Sequence, residues 1–564
     1  MHLSVFLPSS RLVVCCGLSL AATQAGAAVF TVGGYPGCTH STIQAAIDAA
    51  AANGAAEDEI RITVGGQPNQ RLKVSGQSLL LSGGWSGCGD GATQDGRSTL
   101  IGYAVVNTNP FGSNTVLRIS APVGAVQTVT LRNLDIRDGN GSLVGKGGGI
   151  DAEGAVRVVL QDVGVFSNKS PAGNGGGIAM HGPASGFGGI LELHADTRIH
   201  GNQASGKGGG VFLERATLRM RADRTGIDGN DAAQGGGIAA TAGSSVYIGS
   251  VGEPEIQLDA SGAAIVGNAA DIGGGVHLDG NALFEAYELR LSYNHASANG
   301  GGLYATGGAQ VSIGRDYPSA FAVQCQGDGC SRIQGNQAGN GCPGTGGDGG
   351  GLYLDGARAF LSQVEILDNC AWGSPALEIW RSSLNMEGVL VARNRLRWRD
   401  GNNNTARQAV TFASRVGDPQ ATASLAFATF ADNVEAKPDG STIPADAVSQ
   451  IRNDDQWRFT VQAMASADPF PVSGVLETYG KCNRLFVPAS DFLDAANGDY
   501  RPNPQGHLVD TCAAADLTYE SRDPRLVTRC IDHPRPDLRG SCDIGAYELP
   551  PTVLSDRIFA DGFD

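Results

Sequence analysis

Acidic and aromatic side chains recur at two fixed positions in this chain of 564 residues, each time just after a run of three glycines. Each run ends in an apolar residue, and the next residues form what we call the first column: Asp151, Ala179, Phe212, Ala239, His277, Tyr304 and Tyr353. Two residues further on, the second column comprises Glu153, His181, Glu214, Thr241, Asp279, Thr306 and Asp355. Aromatic rings beside carboxylates suit sugars, whose C–H faces pack on rings while their hydroxyls bond to carboxylates.

The second column also carries the candidate acids and bases: Glu153, His181, Glu214, Asp279 and Asp355. If repeats stack ~4.8 Å apart, Asp279 and Asp355 lie two repeats, or ~9.6 Å, apart. Inverting glycosidases place their two carboxyls ~6.5–9.5 Å apart. The other three lie on successive repeats and could exchange protons with a substrate.

A polysaccharide lyase would also need a Ca²⁺ cluster and an Arg or Lys base, and neither column contains Arg or Lys. We therefore expect ligand contact ahead of catalysis, through the ring-bearing residues Phe212, His277, Tyr304 and Tyr353. A face that only meets solvent would display the same residues, so this alternative stays open.

These positions belong to a repeat that reads apolar-x-x-Asn-x-small, a short linker, then Gly-Gly-Gly-apolar. Its intervals range from 27 residues (276 to 303) to 49 residues (303 to 352). Fixed motifs with elastic spacing indicate a solenoid whose insertions lie in loops. Alternating segments such as 155–160 and 244–249 lie between the motifs and predict short strands. About three strands for ~27 residues indicate one coil of a parallel β-helix. The repeats occur at 165–178, 199–211, 227–238, 265–276, 291–303 and 333–352.

Glycine and asparagine have separate reasons to recur in such a coil. Glycine permits positive φ and close backbone approach where every coil must turn at the same place. Asparagine tolerates the left-handed conformation, and stacked asparagine side chains can bond from coil to coil. Flexible glycine linkers would not need fixed asparagine and apolar positions.

The ends of the chain predict further segments. Residues 1–27 are predicted to be a signal peptide, because Arg11 precedes a short apolar run and Ala25-Gly26-Ala27 fits a cleavage site. Residues 41–52 predict a helical plug for the open end of the β-helix, with Ser41 and Gln44 spaced as a capping box. We divide the remainder into a cap and first coils (28–130), repeat coils (131–400), C-terminal coils and loops (401–549) and a tail (550–564).

Three stretches resemble a known group of proteins: 32–50, SGGWSGC (82–88) and the ending formed by 491–504 with PDLRGSCDIGAYEL (536–549). They look like exported bacterial right-handed parallel β-helix proteins of the pectin-lyase-like, choice-of-anchor Q type. The Asn–Gly repeat also resembles that of polymorphic outer membrane proteins, although no stretch long enough for their membrane barrel follows residue 549. The resemblance implies an all-β, right-handed parallel β-helix with a short helical cap, and says little about activity.

Composition limits the partners. The net charge of −16 argues against nucleic acids and anionic membranes, and no stretch after the signal predicts a transmembrane helix. An even number of cysteines in an exported chain favours disulfides over zinc, and we expect Cys38 to pair with Cys88. No motif predicts a metal or a cofactor. The prediction is a secreted or cell-surface protein that contacts a polysaccharide or a surface protein; a lyase or glycoside hydrolase, and a structural spacer, are the alternatives. The ten cysteines are Cys38, Cys88, Cys325, Cys330, Cys342, Cys370, Cys482, Cys512, Cys530 and Cys542.

Overall fold

We describe the protein from a computed structural model. It covers residues 26–54, 57–102, 114–141, 147–186, 188–194, 196–220, 224–249, 263–287, 289–314, 331–342, 346–397, 408–413, 421–436, 441–443, 449–453, 457–467, 476–479, 482–513, 517, 530 and 540–549. The predicted signal peptide and tail, and Cys325 and Cys330, lie outside these residues, apart from residues 26–27 at the end of the predicted signal peptide.

The described chain winds into a parallel β-helix, as the repeat predicts. Each repeat coil contributes one strand to sheet B, two to sheet A and one to sheet C before it returns to sheet B. Sheet B has twelve strands: Leu72–Ser75, Leu117–Ser120, Ile150–Glu153, Ile178–His181, Val211–Glu214, Ile238–Thr241, Val276–Leu278, Leu303–Thr306, Leu352–Asp355, Leu377–Trp380, Gln408–Ala413 and Ser449–Asn453. Sheet C has ten: Lys169–Ser170, Gln203–Ala204, Asp231–Gln234, Ala269–Ile272, His295–Ala296, Gln337–Ala338, Cys370–Ala371, Arg395–Arg397, Val434–Ala436 and, antiparallel, Thr442–Ile443.

Sheet A is the largest, with 27 strands within the described residues. They are Val29–Val32, Asp58–Thr63, Gly65–Gln67, Leu79–Trp85, Ser98–Ile101, Gln127–Arg137, Val156–Phe166, Gly189–Leu193, Arg198–His200, Ala216–Met220, Gly226–Asp228, Ser245–Ile248, Ala264–Val266, Leu283–Ala286, Arg290–Ser292, Gln310–Ile313, Ser331–Gln334, Arg358–Ser362, Val364–Leu367, Ser383–Glu387, Leu390–Ala392, Ala421–Ala426, Thr429–Ala431, Trp457–Gln462, Ala465–Ser466, Leu476–Tyr479 and Arg484–Leu485.

The apolar residue after each glycine run points into the coil, as predicted. Ile150, Ile178, Val211, Ile238 and their counterparts are fully buried in one core cluster that extends along the described coils. Side chains alternate between the two faces of a strand, so the neighbouring residues project from the outer face of sheet B. The periodicity of the sequence therefore identified the core correctly.

A ladder of asparagines joins the coils at one buried corner. Each side chain donates one hydrogen bond to the next asparagine at 2.9–3.0 Å, and another to a backbone carbonyl of the preceding coil. From Asn202 onwards, the side-chain oxygen of each ladder asparagine also accepts a hydrogen bond from the backbone N–H of the preceding ladder asparagine. The ladder runs through Asn168, Asn202, Asn230, Asn268, Asn294, Asn336, Asn369, Asn394 and Asn433.

The prediction that the asparagine itself adopts the left-handed backbone conformation is wrong. The residue before each ladder asparagine has the positive φ instead, for example Gly229 at 60° and Tyr293 at 55°. Turning one residue earlier leaves the asparagine side chain directed inward, where it meets its neighbours. Glycine is common at this position because other residues pay ~1–2 kcal/mol for the left-handed conformation.

From Gly175 onwards, the first glycine of each triplet is left-handed as well, and its backbone packs closely on the following strand. Gly235, with φ of 64°, has no room for a Cβ because the carbonyl oxygen of Ile238 occupies that space. Gly236 would likewise collide with the carbonyl of Ala269 on the next coil. The triplet is therefore required both by conformation and by the close contact of neighbouring coils.

The helical cap is Ile43–Asn53, and Ile43 and Ile47 face the core as expected. Its N-cap is Thr42, whose hydroxyl accepts from Ala45 N at 3.3 Å, and not the predicted Ser41. The amide of Gln44 therefore does not form a capping box. It pairs with the backbone of Lys73, accepting from N at 2.8 Å and donating to O at 3.1 Å. Gln44 thus covers part of the first strand of sheet B, a free edge that would otherwise invite aggregation.

The C-terminal segment lies along the outside of sheet A. Short 3-10 helices, Ala489–Asp491 and Ala495–Asn497, flank the strand Phe492–Asp494, which pairs antiparallel with Asp499–Pro502. In the DIGAYEL stretch, Ala546 N donates to Thr429 Oγ1 at 2.8 Å, and the Tyr547 hydroxyl donates to Glu365 Oε1 at 2.5 Å. A separate apolar cluster seals this contact.

Four disulfides close the described loops. Cys38 bonds to Cys88, which confirms the expected pairing. Cys342–Cys370 ties the insertion of the sixth repeat to a strand of sheet C. Cys482–Cys512 and Cys530–Cys542 hold the C-terminal segment.

Candidate functional site

The two predicted columns lie in register along sheet B, except that Asp279 follows the end of its strand, Val276–Leu278. Ala179 pairs with Asp151 and Phe212, and His181 pairs with Glu153 and Glu214. The pairing continues through Ala239, His277, Tyr304 and Tyr353 in the first column. The columns also extend beyond the prediction, to Arg118 and Lys73 before Asp151 and to Glu378 and Thr411 after Tyr353. Those coils lack the glycine triplet, so the motif did not reveal them.

The first column is not the exposed stripe that its alternation predicts. Phe212 and His277 are only 4% exposed, and Ala239 is completely buried. The backbone of the first glycine packs against the Cβ atoms of this column, as Gly235 does on Ala239 and Gly300 on Tyr304. The first column thus lies buried between the glycine turns on one side and the second column on the other. We call this strip of sheet B the groove and the first column its floor.

Lys207 crosses this groove. It precedes the glycine triplet of its coil, and its Nζ lies 3.9 Å from Asp279 Oδ2, two coils further along. Its backbone N–H donates to Asn174 Oδ1 of the preceding turn at 2.8 Å. The contact shows that side chains from the two walls reach each other above the floor.

Three rings of the floor stack on one another. His277 and Tyr304 have centroids 5.5 Å apart with planes inclined by 5°, and Tyr304 and Tyr353 are 5.0 Å apart at 6°. The facing surfaces of these rings therefore cover each other, so sugar C–H faces cannot pack on them as first expected. Tyr304 and Tyr353 are half-buried and offer ring edges and hydroxyls. Burial raises the pKa of both hydroxyls, which keeps them as hydrogen-bond donors.

Phe212 lies apart from this stack because Ala239 separates it from His277. It packs with Ala179 and Ala239 in a small apolar cluster, and its ring is tilted against that of His181 at 5.6 Å. Phe212 thus forms part of the apolar floor rather than an exposed platform.

His277 is the buried polar group of the floor. Its Nδ1 has no hydrogen-bond partner. Burial, with a smaller contribution from Lys207, lowers the pKa of His277 to about 4, although Asp279 acts in the opposite direction. The imidazole is therefore neutral at pH 7, with one nitrogen that donates a hydrogen bond and one that accepts.

His181 lies between two carboxylates. Its Nδ1 is 3.0 Å from Glu214 Oε2, and its Nε2 is 3.9 Å from Asp151 Oδ1. The bond from His181, followed by that from Arg215, lowers the pKa of Glu214 and outweighs its partial burial. Arg118 lies 3.6 Å from the other oxygen of Asp151. Glu214 is therefore an ionised partner that orients the histidine, while Glu153 lies at the exposed end of its strand.

Asp279 and Asp355, the other candidate acids, each have a cation beside them. Asp279 lies near Lys207, and Asp355 accepts from Arg381 Nε at 3.0 Å. Neither cation belongs to a column: Lys207 comes from a turn, and Arg381 follows the strand of the next coil. A basic residue directly before a glycine triplet, as in Lys207-Gly208, was the available sequence signal.

A buried hydroxyl–carboxylate group continues the floor beyond Tyr353. Ser374 Oγ is 2.5 Å from both Glu378 Oε2 and Thr411 Oγ1, and all three residues are buried. The repeat motif does not reveal them, because Ser374-Pro375-Ala376 replaces the glycine triplet in this coil.

Among the described residues, no group of three His, Cys, Asp or Glu is placed to hold a metal ion. Within the same residues, no helix has the length and apolar character needed to cross a bilayer.

The fold and the site define a disulfide-bonded parallel β-helix with a groove along one sheet, a construction compatible with an exported protein. No family model matches the chain, and no curated protein or solved structure is significantly similar to it. The resemblance to pectin-lyase-like, choice-of-anchor Q proteins and to polymorphic outer membrane proteins therefore stays a prediction, as do the domain boundaries.

Proposed function

We propose that this is an exported, secreted or cell-surface β-helix that binds a glycan along the groove of sheet B without transforming it. The observation that carries the proposal is the alignment of the two columns into a floor and a wall that follow the coil axis. Twelve strands spaced ~4.8 Å apart give the sheet a length on the order of 50 Å. A groove of that length suits a polymer better than a small molecule.

The charges in the groove favour binding over acid–base catalysis. A glycoside hydrolase needs one protonated carboxyl as general acid. The pKa of Glu214 is lowered by His181, and Asp279 and Asp355 lie beside Lys207 and Arg381. The ionised carboxylate of Glu214 accepts hydrogen bonds from hydroxyls but does not protonate a leaving group.

Export is supported by two independent features. The described disulfides belong to an oxidising compartment, and the first residues have the pattern of a cleaved signal. The acidic net charge favours solubility outside the cell and disfavours nucleic-acid partners.

The test is a binding screen of the mature chain against neutral, acidic and amino-sugar polysaccharides, by retention on immobilised polymer and by calorimetry. Changing both Tyr304 and Tyr353 to Phe removes only two hydroxyls, and we expect ~2- to 10-fold weaker binding for each hydroxyl that bonds to the ligand. Tyr247→Phe, on the outer face of sheet A, is the matched control. Lack of binding to every polymer, or an equal loss in the control, would overturn the proposal.

A hydrolase is the second candidate, and the contact of His181 with Glu214 favours it. A histidine oriented by a carboxylate is a general arrangement for a base. Release of new reducing ends from any polymer of the same panel, abolished by His181→Ala in a folded protein, would replace binding by catalysis as the function.

A further inference from the structure

Carboxylates occupy every second coil of the second column. In coil order the column reads Glu153, His181, Glu214, Thr241, Asp279, Thr306 and Asp355, with Asp279 one residue beyond its strand. Acids thus alternate with neutral or weakly basic residues over seven consecutive coils. With coils ~4.8 Å apart, the carboxylates recur every ~9.6 Å.

Three of these acids form an ion pair with a cation from outside the columns. Arg215 Nη1 donates to Glu214 at 2.8 Å, Lys207 lies 3.9 Å from Asp279, and Arg381 Nε donates to Asp355 at 3.0 Å. Charge is therefore balanced locally at three of the four acids, Glu214, Asp279 and Asp355. Each pair offers an acceptor and a donor side by side, which matches a hydroxyl that must both give and accept a bond.

The buried imidazole of His277 adds a polar group that the protein itself leaves unsatisfied. It lies on the floor two residues before Asp279, and its Nδ1 has no hydrogen-bond partner although the residue is 4% exposed. Buried polar groups without partners are rare in folded proteins and mark a strained or functional place. This one is at the middle pair of the alternating series.

The spacing of the carboxylates, one at every second coil, fits some polymers and not others. In an extended β-1,4-linked glycan each sugar advances by about one coil spacing, and alternate sugars face opposite ways, so like hydroxyls recur at every second sugar. Chains with α-1,4 or β-1,3 links curl and lose this register. An extended peptide places side chains on one face every ~6.6 Å, which is out of step with ~9.6 Å.

We propose that the groove selects an electrically neutral, extended β-1,4-linked glycan, one sugar per coil, whose alternate sugars bond to the ion pairs of Glu214, Asp279 and Asp355. This inference rests on the proposed glycan-binding function and names the class of glycan. Local charge balance disfavours polyanionic and polycationic chains, because neither would find an excess of opposite charge in the groove.

The experiment measures the affinity of the full mature chain for soluble β-1,4-gluco-oligosaccharides of increasing length, beside α-1,4 and β-1,3 series of equal length. We expect affinity for the β-1,4 series to rise in steps of two sugars, with the other series at least tenfold weaker. Asp279→Asn and Asp355→Asn should each weaken β-1,4 binding about tenfold, because each loses a charged acceptor. Asp228→Asn removes a comparable arginine pair on sheet A, with Arg198, and should leave binding unchanged.

Circular dichroism and the thermal midpoint of each variant establish that it is folded before binding is measured. Equal affinity for the α-1,4 or β-1,3 series, or unchanged binding in both groove variants, would overturn this inference while glycan binding itself stands. Binding of charged polysaccharides but not of neutral ones would also overturn this inference and leave glycan binding standing. Binding to no polymer would overturn both proposals.

Discussion

Removing one amide from the asparagine ladder should destabilise the whole β-helix. Asn294 is the central example, because it is completely buried and bonds to both neighbouring coils. In Asn294→Ala the side-chain oxygen that accepts from the N–H and the Nδ2 of Asn268 is lost. The carbonyl of Ile265 loses the donor at 2.9 Å. Asn336 keeps a partner, since its oxygen still accepts the backbone N–H of residue 294.

The expected cost follows from these three groups. A buried donor or acceptor left without a partner costs ~1–3 kcal/mol, so the change should lower the free energy of unfolding by roughly 3–9 kcal/mol if the bonds are independent. A loss above ~4 kcal/mol is unusual for a single substitution. Because each coil of a solenoid contacts only its neighbours, we expect the coils that flank residue 294 to unfold first.

The assay is urea denaturation followed by circular dichroism, together with hydrogen exchange of the coils on either side. Asn385→Ala is the matched control, because Asn385 is an exposed strand residue on the outer face of sheet A. It should change stability by no more than ~0.5 kcal/mol. A cost for Asn294→Ala as small as that of the control would refute the view that the ladder holds the coils together.

Two further predictions concern the groove. The pKa of His277 falls from 6.5 to about 4 on folding, so the unfolded chain binds more protons than the folded chain between these pH values. The contribution of His277 to the free energy of unfolding is therefore fully present above pH 6.5 and declines as the pH falls towards 4. Wild-type protein should therefore lose roughly 2–3 kcal/mol more than His277→Gln between pH 7.5 and 4.5 in denaturation experiments; identical pH profiles would contradict the assignment. Gly235→Ala should cost ~1–3 kcal/mol more than Gly229→Ala, since both glycines are left-handed but only Gly235 has a carbonyl oxygen in the way, and equal losses would show that conformation alone requires the triplet.

Sequence periodicity was sufficient for the coil and for the columns. Alternation places Ile178 inside and Ala179 and His181 outside, and a solenoid preserves that register at every coil. The ladder could also be predicted from the sequence, because asparagine recurs at one distance from the apolar residue even where the glycines disappear, as at Asn369 and Asn394.

The burial of the floor could not be predicted from the periodicity of the sequence. Period-two alternation distinguishes two faces of a strand, but it does not reveal that a turn of the same coil packs over one of them, as Gly235 does on Ala239. The partners of the acids were missed for a related reason. Lys207 reaches Asp279 across two coils, and a side chain of that length is not confined to its own position in the repeat.

The asparagine ladder also makes the length of the molecule adjustable in whole units. Each amide meets its neighbours in the same way whether 26 or 42 residues separate them, so a segment cut from one asparagine to the next could be deleted or duplicated and the corner rejoined. The alternating carboxylates impose a stricter rule on the same operation. Excising a single winding would bring Thr241 next to Thr306 and break the acid series, whereas excising an even number preserves its phase.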